Sequence, residues 1–403
     1  MTTVAIISEY NPFHLGHEYQ VGEIRKQFGD DTAIIAIMSG NYTQRGEIAI
    51  ADKYLRAKLA VLSGVNLVLE LPFPYSISSA EFFAKSGVHI ANSLGCVDYL
   101  SFGSEIGSLD ILTKIANNLL SDEYTKALKS LTNDTELSNL GYATLCQRAY
   151  QEAFRKDIGD IFTPNNILAL EYIKALINTK SSIKPHTVLR KGGAYNSETI
   201  NETNMPSAMA IRNLLSKNVF SAFDYIPKNA KNDFLSLYNK DYPTSISKLN
   251  NAILSNFRLN NPLTRGAIHD AEGGLYNRLY TLSYEAESIQ SLIALAETKK
   301  YTTARIKRAI WYSFLGVTSS DVKALPEYTQ LLAFDKLGQQ VLKNSKGVAR
   351  ISIVTKPSKT DGLSDTAKRQ KELSDMADSI FQLTKPTHFS GKYSLLCSPF
   401  VKK

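Results

Sequence analysis

Two histidines with a glycine between them are the residues of this chain best placed to do chemistry. His14-Leu15-Gly16-His17 follows a short apolar run, Val4 to Ile7, and a break at Asn11-Pro12. The run has the pattern of a strand covered on both faces. Pro12 has no N–H and a fixed φ, which suits a tight turn before a helix. The spacing predicts that His14 and His17 share one face of the first helical turn. Gly16, without a side chain, would let a ligand approach the backbone closely. Free N–H groups of a first turn, plus two imidazoles, make a site for a polyphosphate. The matching reaction is nucleotidyl or adenylyl transfer, in which an acceptor oxygen attacks the α-phosphate of ATP and pyrophosphate leaves. A protein doing this must align the reactants and stabilise charge on the phosphoryl oxygens, which two hydrogen-bonding histidines can do. A lone histidine is more often a solvated helix residue; here the pair, the glycine, the strand and the turn coincide.

Apolar runs recur behind this turn. Thr32 to Met38 reads as a second strand ending in Ser39-Gly40-Asn41, and Val65 to Leu71 as a third, stopped by Pro72 and Pro74. Val97 to Phe102 reads as a fourth, ending at Gly103. Helices are expected near residues 17–27 and over Ala51 to Leu62 and Ala80 to Leu94. Strands alternating with helices predict a parallel sheet with right-handed crossovers. Ligands of such sheets sit beyond the carboxyl ends of the strands. The turns Asn11–His17, Ser39–Asn41, Glu70-Leu71-Pro72 and Gly103-Ser104-Glu105 should therefore converge.

Further along, Asp110 to about Ala153 reads as a helical insertion, and Thr163-Pro164 as the cap and first residue of a helix. Asn165 and Asn166 either extend that cap or read a base or ribose. His186 to Leu189 reads as a fifth strand, with Arg190-Lys191-Gly192-Gly193 at its carboxyl end, where a basic residue favours phosphate contact. In Met205-Pro206-Ser207-Ala208-Met209-Ala210-Ile211-Arg212, Ser207 is an N-cap candidate and Arg212 projects from the second turn. A helix N-terminus plus arginine is again a phosphate-binding arrangement.

Helical spacing dominates beyond about Asn218, over Phe220 to Leu237, Ile246 to Leu254, Gly274 to Leu282 and Ile289 to Ala296. In the stretch from Lys299 to Tyr312, Ile306 and Ile310, with Phe314 and Val317 just beyond, form one apolar face. Tyr301, Arg305, Arg308 and Tyr312 form another stripe, a mixture that suits phosphate contact with base stacking, although a charge run is usually only a solvated face. Ala349 to Val354 reads as a strand, Ser358 to Lys371 as a polar loop, and Leu373 to Leu383 as a last helix.

The 403 residues imply two or three domains. A net charge of +8 and pI near 9.1 permit a polyanionic partner without demanding one. Cys96, Cys146 and Cys397 show no C-x-x-C spacing, which argues against a disulfide framework or a zinc site. No apolar run has membrane-spanning length, and no signal-like start is visible, so the expectation is a cytoplasmic protein. No metal-ligand set and no obligate protein partner are expected.

Taken together, these residues resemble the bacterial tRNA(Met) cytidine acetate ligases, members of the H-x-G-H nucleotidyltransferase-like group. The likeness is carried by Glu9 to His17, Met38-Ser39-Gly40, Gln44-Arg45-Gly46-Glu47, Glu70-Leu71-Pro72 and Phe102-Gly103-Ser104-Glu105. It continues through Pro164-Asn165-Asn166-Ile167-Leu168 and Ser207-Ala208 with Ile211-Arg212, and is thinner in the C-terminal part. The resemblance implies an α/β fold: a HIGH-type, Rossmann-like parallel-sheet domain over residues 1–215, with the insertion at about 108–160. A mainly α-helical, tRNA-binding region over 216–403 follows.

It also implies activation of acetate by ATP, with Mg2+, to acetyl-adenylate. The acetyl group then passes to N4 of the wobble cytidine in the anticodon loop of elongator tRNA(Met). By the same resemblance, Ile7-Ser8-Glu9-Tyr10-Asn11-Pro12-Phe13-His14-Leu15-Gly16-His17-Glu18-Tyr19-Gln20 would hold ATP, with His14 and His17 at its phosphates. Gly103, Asn165 or Asn166, Arg190 with Lys191, and Ser207 with Arg212 would complete the pocket. Relatives more often carry Thr or Ser where this chain has Met209 and Ala210, which leaves Arg212 and backbone N–H groups to make that contact. Tyr301, Arg305, Arg308 and Tyr312 would meet the tRNA. Two competing readings are a cofactor adenylyltransferase with a small phosphorylated acceptor, and an RNA-binding protein that senses ATP.

Overall fold

Strands β1 (Thr3–Ser8), β2 (Ala33–Ser39), β3 (Leu67–Leu71), β4 (Tyr99–Ser104) and β5 (Lys184–Leu189) lie parallel in the order β5-β4-β1-β2-β3. The computed structural model describes residues 1–134, 141–159, 161–191, 205–217, 219–235, 243–262, 268–387 and 390–403. Outside them lie Gly192, Gly193 and Leu237, and part of the expected helical insertion.

The apolar runs form strands because both sheet faces are covered. Every residue of β2 is buried, and Val4, Ala5 and Ile6 of β1 are at most 2% exposed. The crossovers are α1 (Leu15–Phe28), α2 (Lys53–Leu62) and α3 (Ala80–Ser93). Helices α4 (Leu109–Leu119), α5 (Asp122–Asn133) and α6 (Tyr142–Phe154) then make the insertion, and α7 (Pro164–Asn178) returns to the sheet. Past β5, α8 (Ala208–Lys217) carries Arg212.

The chain beyond residue 216 is mainly helical, as its spacing implied, but it also supplies strands β6 (Tyr328–Phe334), β7 (Ser352–Val354) and β8 (Phe400–Val401). Strand β6 pairs antiparallel with β3, Val68 opposite Ala333, and β7 and β8 pair with β6. The sheet therefore draws on both ends of the chain. Strand β6 is not legible in the sequence because Thr329 and Gln330 interrupt its apolar run, and the short remainder Leu331 to Phe334 fits a helix turn as well as a strand until its partner is known.

Two helix expectations also change. Phe220 to Leu237 is not one helix: a short helix, Val219–Phe223, is followed by Pro227 and a 3-10 turn at Lys228–Ala230. Pro227 lacks the N–H that a continuing helix needs. The last long helix, Asp365–Gln382, starts within the stretch read as a loop, with the Ser364 side chain accepting from Ala367 N–H as its cap. That helix is fixed to the sheet by a buried cluster. Lys53 Nζ lies 2.8 Å from Glu70 Oε2 and 2.6 Å from Asp378 Oδ2, and Asn41 Nδ2 donates to Asp378 Oδ1 at 2.7 Å.

Candidate active site

The carboxyl ends of β1, β4 and β5 open on a cleft that His14, His17, Gly103, Asn165, Arg190 and Arg212 line. Four of these residues sit just after a strand or at a helix start and Gly103 sits at the carboxyl end of β4, where an open parallel sheet leaves its crevice. Arg212, in the second turn of α8, reaches in from the side.

His14 is not in the first turn of α1; it is the N-cap, with extended backbone at φ −143°. Its Nδ1 accepts from Gly16 N–H at 3.0 Å, and His17 Nδ1 accepts from His14 N–H at 3.3 Å. The two imidazoles thus perform the reciprocal capping that Ser and Glu perform elsewhere. Their ring centroids are 4.0 Å apart, and the rings of Tyr10 and Phe13 pack on His17 at 4.8 and 5.4 Å.

Burial takes the His14 pKa down to about 3, aided by the nearby cations Arg190 and Arg212. Burial likewise holds His17 well below 6.5, with His14 and Arg190 adding to the effect. Both rings are therefore neutral near neutral pH. Since each Nδ1 accepts a backbone hydrogen bond, this network assigns each proton to Nε2. Each ring then carries one Nε2–H donor, as a phosphoryl oxygen requires.

Gly16 has a role beyond the expected one. A Cβ there would lie 2.8 Å from His14 Cε1, so the glycine makes room for the capping ring as well as lining the cleft. Of the Ile7–Gln20 segment, Ile7 to Asn11, Tyr19 and Gln20 also line the cleft, whereas Pro12, Phe13, Leu15 and Glu18 do not. Phe13 is core, fully buried behind the histidines.

On the far side, Gly103 is narrow because a Cβ would come 3.1 Å from Arg190 Cγ. Lys191 also lines the cleft, its Nζ 4.8 Å from the centre of the Tyr19 ring. The α7 start is capped by Glu105, which the sequence places only in the turn after β4. Glu105 Oε1 accepts from Asn165 Nδ2 at 2.6 Å, and Oε2 accepts from Asn166 N–H at 2.8 Å. Thr163, the expected cap, makes no side-chain capping bond. Asn166 Oδ1 in turn accepts from the N–H groups of Glu105 and Ile106. Asn166 therefore builds the turn, and Asn165 is the one at the cleft.

Ser207 caps α8, its Oγ accepting from Ala210 N–H at 3.1 Å, and is only 4% exposed. It holds the helix rather than lining the cleft, where Ala208, Met209 and Arg212 stand instead. The structure also brings in Thr43, Gln44, Arg45 and Glu47 from the loop after β2. Their stretch carries part of the family likeness, but no spacing rule ties it to the histidines.

Tyr301, Arg305, Arg308 and Tyr312 do not form an open stripe. Tyr312 is fully buried, with its hydroxyl near Ser78 Oγ at 3.2 Å and donating to Pro74 O at 3.3 Å. Arg308, 8% exposed, pairs with Asp270 at 2.5 Å, and Arg305 donates to the carbonyls of Asp270 and Glu272. The Tyr301 hydroxyl donates to Gly273 O. The helix Thr303–Leu315 faces inward because Trp311, Ile310 and Tyr312 are core, so these basic groups satisfy their own fold.

The sheet order and the capped imidazole pair define a nucleotidyltransferase, and the chain belongs to the HIGH Nucleotidyl Transferase family, whose model matches residues 1–394. Its similar relatives are tRNA(Met) cytidine acetate ligases. That of Thermoanaerobacter sp. (strain X514) is 37% identical over 392 residues, 95% of each chain. That of Clostridium perfringens (strain ATCC 13124) is 34% identical over 376 residues, 89% of this chain and 90% of the relative. Among solved structures, apo TmcAL of Thermotoga maritima (form I) superposes with a TM-score of 0.91 at 27% identity, over 100% of this chain and 99% of that one. The form II structure of the same protein, bound with alpha-thio ATP, gives 0.87 at 27% identity over the same shares.

Proposed function

We propose that the protein activates acetate with ATP and acetylates N4 of the wobble cytidine of elongator tRNA(Met). The observation that carries this reading is the pair of neutral imidazoles, each with an Nε2–H, beside Arg190 and Arg212 in one cleft. The names of the relatives supply the acceptor and the acyl donor, and the bound alpha-thio ATP of the Thermotoga maritima structure supports the nucleotide.

In the first step an acetate oxygen attacks the α-phosphorus, the bond to the bridging oxygen breaks, and pyrophosphate leaves. The imidazoles and guanidinium groups meet the charge that develops on the phosphoryl oxygens. Magnesium would arrive on the nucleotide. In the second step the cytidine N4 attacks the carbonyl carbon of the mixed anhydride, AMP leaves, and N4 gives up a proton. A mixed anhydride is reactive enough to need no protein nucleophile, so no acyl-enzyme forms. The anticodon loop would be held by basic surface other than the Tyr301–Tyr312 stripe. No helix among the described residues is long and apolar enough to cross a membrane. A tRNA substrate supports a cytoplasmic reaction.

The test is exchange of labelled pyrophosphate into ATP. Exchange that requires acetate supports the ligase. Exchange that requires a small phosphorylated acceptor would point to a cofactor adenylyltransferase, and no exchange at all to an ATP-sensing RNA-binding protein.

A further inference from the structure

The loop between β2 and α2 touches both the cleft and the inward-facing C-terminal helix. It is closed on itself: Thr43 N–H donates to Glu47 O and Gly46 N–H to Thr43 O, each at 2.9 Å. Gly46 has φ +77°, and a Cβ there would lie 2.5 Å from Lys307 Cβ and 2.8 Å from Arg308 N. The loop therefore rests directly on the backbone of Thr303–Leu315, and only glycine permits that approach. Trp311 Nε1 donates to Gly46 O at 3.0 Å and fastens the contact.

The cleft-facing end of this loop is Glu47. Its Oε2 lies 3.3 Å from Arg212 Nη2, and its Oε1 lies 2.9 Å from Lys307 Nζ. Arg212 is held a second time, by Nη1 donating to Asn11 O at 2.9 Å. A carboxylate lining a pocket for a triphosphate looks counterproductive, because like charges repel. The arrangement removes that cost. Lys307 balances Glu47, so the trio keeps a net positive charge while one edge of the Arg212 guanidinium is fixed between two acceptors. Burial pushes the Glu47 carboxyl up, but Lys307, Arg212 and Arg45 outweigh it and leave the group below its ordinary value, hence ionised. A free arginine would have to lose its rotamer freedom on meeting an anion; one already held loses less.

We propose that Glu47 is a positioning residue that aims Arg212 at the nucleotide phosphates, and that Lys307 couples the C-terminal helical region to the nucleotide site through it. The inference rests on the nucleotide reading of the cleft, not on the acetate or tRNA assignments.

The two roles open to Glu47 predict opposite signs. A bystander carboxylate repels the triphosphate, so Glu47→Gln would tighten ATP. A positioning carboxylate holds its partner arginine, so Glu47→Gln would weaken ATP. The experiment is calorimetric titration of the full chain with magnesium-ATP alone. The expected result is a Kd about tenfold higher in Glu47→Gln, with partial recovery in Glu47→Asp. Lys307→Met should weaken ATP about threefold and add little on top of Glu47→Gln, since both act on one arginine. In an Arg212→Ala background the sign should invert, with Glu47→Gln now tightening ATP, a reversal that mere loop damage would not produce. Unchanged or tighter binding in the single Glu47→Gln variant overturns the positioning role. Fully additive losses with Lys307→Met overturn the coupling. Should Glu47→Gln fail to fold, the Lys307→Met variant decides, with unchanged affinity counting against the proposal. Wild-type protein that binds no ATP would sink the nucleotide reading itself, a distinct outcome.

Discussion

The rings of His14 and His17 lie with centroids 4.0 Å apart and planes tilted by 40°, and each turns its Nδ1 to a backbone N–H in the turn that holds them. The pair is at once the cap of α1 and the floor of the cleft, so its protonation is tied to both folding and ligand binding. The unfolded chain takes up protons here as pH falls through 6.5, whereas folded His14 does so only near about 3. The unfolded state therefore binds more protons across that window, and stability is greatest above 6.5 and falls as pH drops below it. Thermal unfolding of the ligand-free protein between pH ~7 and ~5 should show this, and His14→Gln should flatten the slope.

A triphosphate placed beside neutral imidazoles raises their pKa values, so proton uptake on ATP binding should grow as pH is lowered below neutrality. Titration calorimetry in two buffers of different ionisation enthalpy measures that uptake. The uptake above that of free ATP should vanish in the His14→Gln, His17→Gln double variant.

Gly16→Ala should leave the fold intact but displace the His14 ring, because the new Cβ would sit 2.8 Å from Cε1. Loss of one hydrogen bond to a charged group, about 1.5–3 kcal/mol, weakens ATP roughly ten- to a hundredfold. Binding titrations against unchanged far-UV circular dichroism check it, and wild-type affinity would remove the ring from the site.

Arg308→Glu tests whether the basic helix is core or surface. Arg308 pairs with Asp270 at 2.5 Å and is 8% exposed, so the substitution sets two carboxylates together where an ion pair stood. Denaturant unfolding should show a loss of about 3 kcal/mol. A stable variant with selectively weakened tRNA binding would restore the open-stripe reading.

Glu105→Gln should loosen the α7 start, since Glu105 accepts from both Asn165 and Asn166. The cap loss costs about 1 kcal/mol in a denaturant titration. The larger change is expected in the nucleotide, with Asn165 released from its hold at the cleft.

The amino-acid order alone determined the first four strands and the turns after them, because buried parallel strands must be continuously apolar and their crossovers must return to one edge. It also pointed to polyphosphate chemistry, since two imidazoles, a glycine and a preceding strand lie within a span of fourteen residues. Local spacing could not say that His14 stands outside the helix as its cap, nor that Gly16 serves the ring. Both follow from one hydrogen bond whose direction only the folded turn sets. Contacts between distant parts of the chain were decided by tertiary structure alone. Glu47 meets Arg212 across 165 positions and Lys307 across 260. Strand β6 pairs with β3, Val68 opposite Ala333, and Tyr312 and Arg308 turn inward onto Pro74 and Asp270. A charge on a helix has no fixed meaning until the neighbour that neutralises it is known.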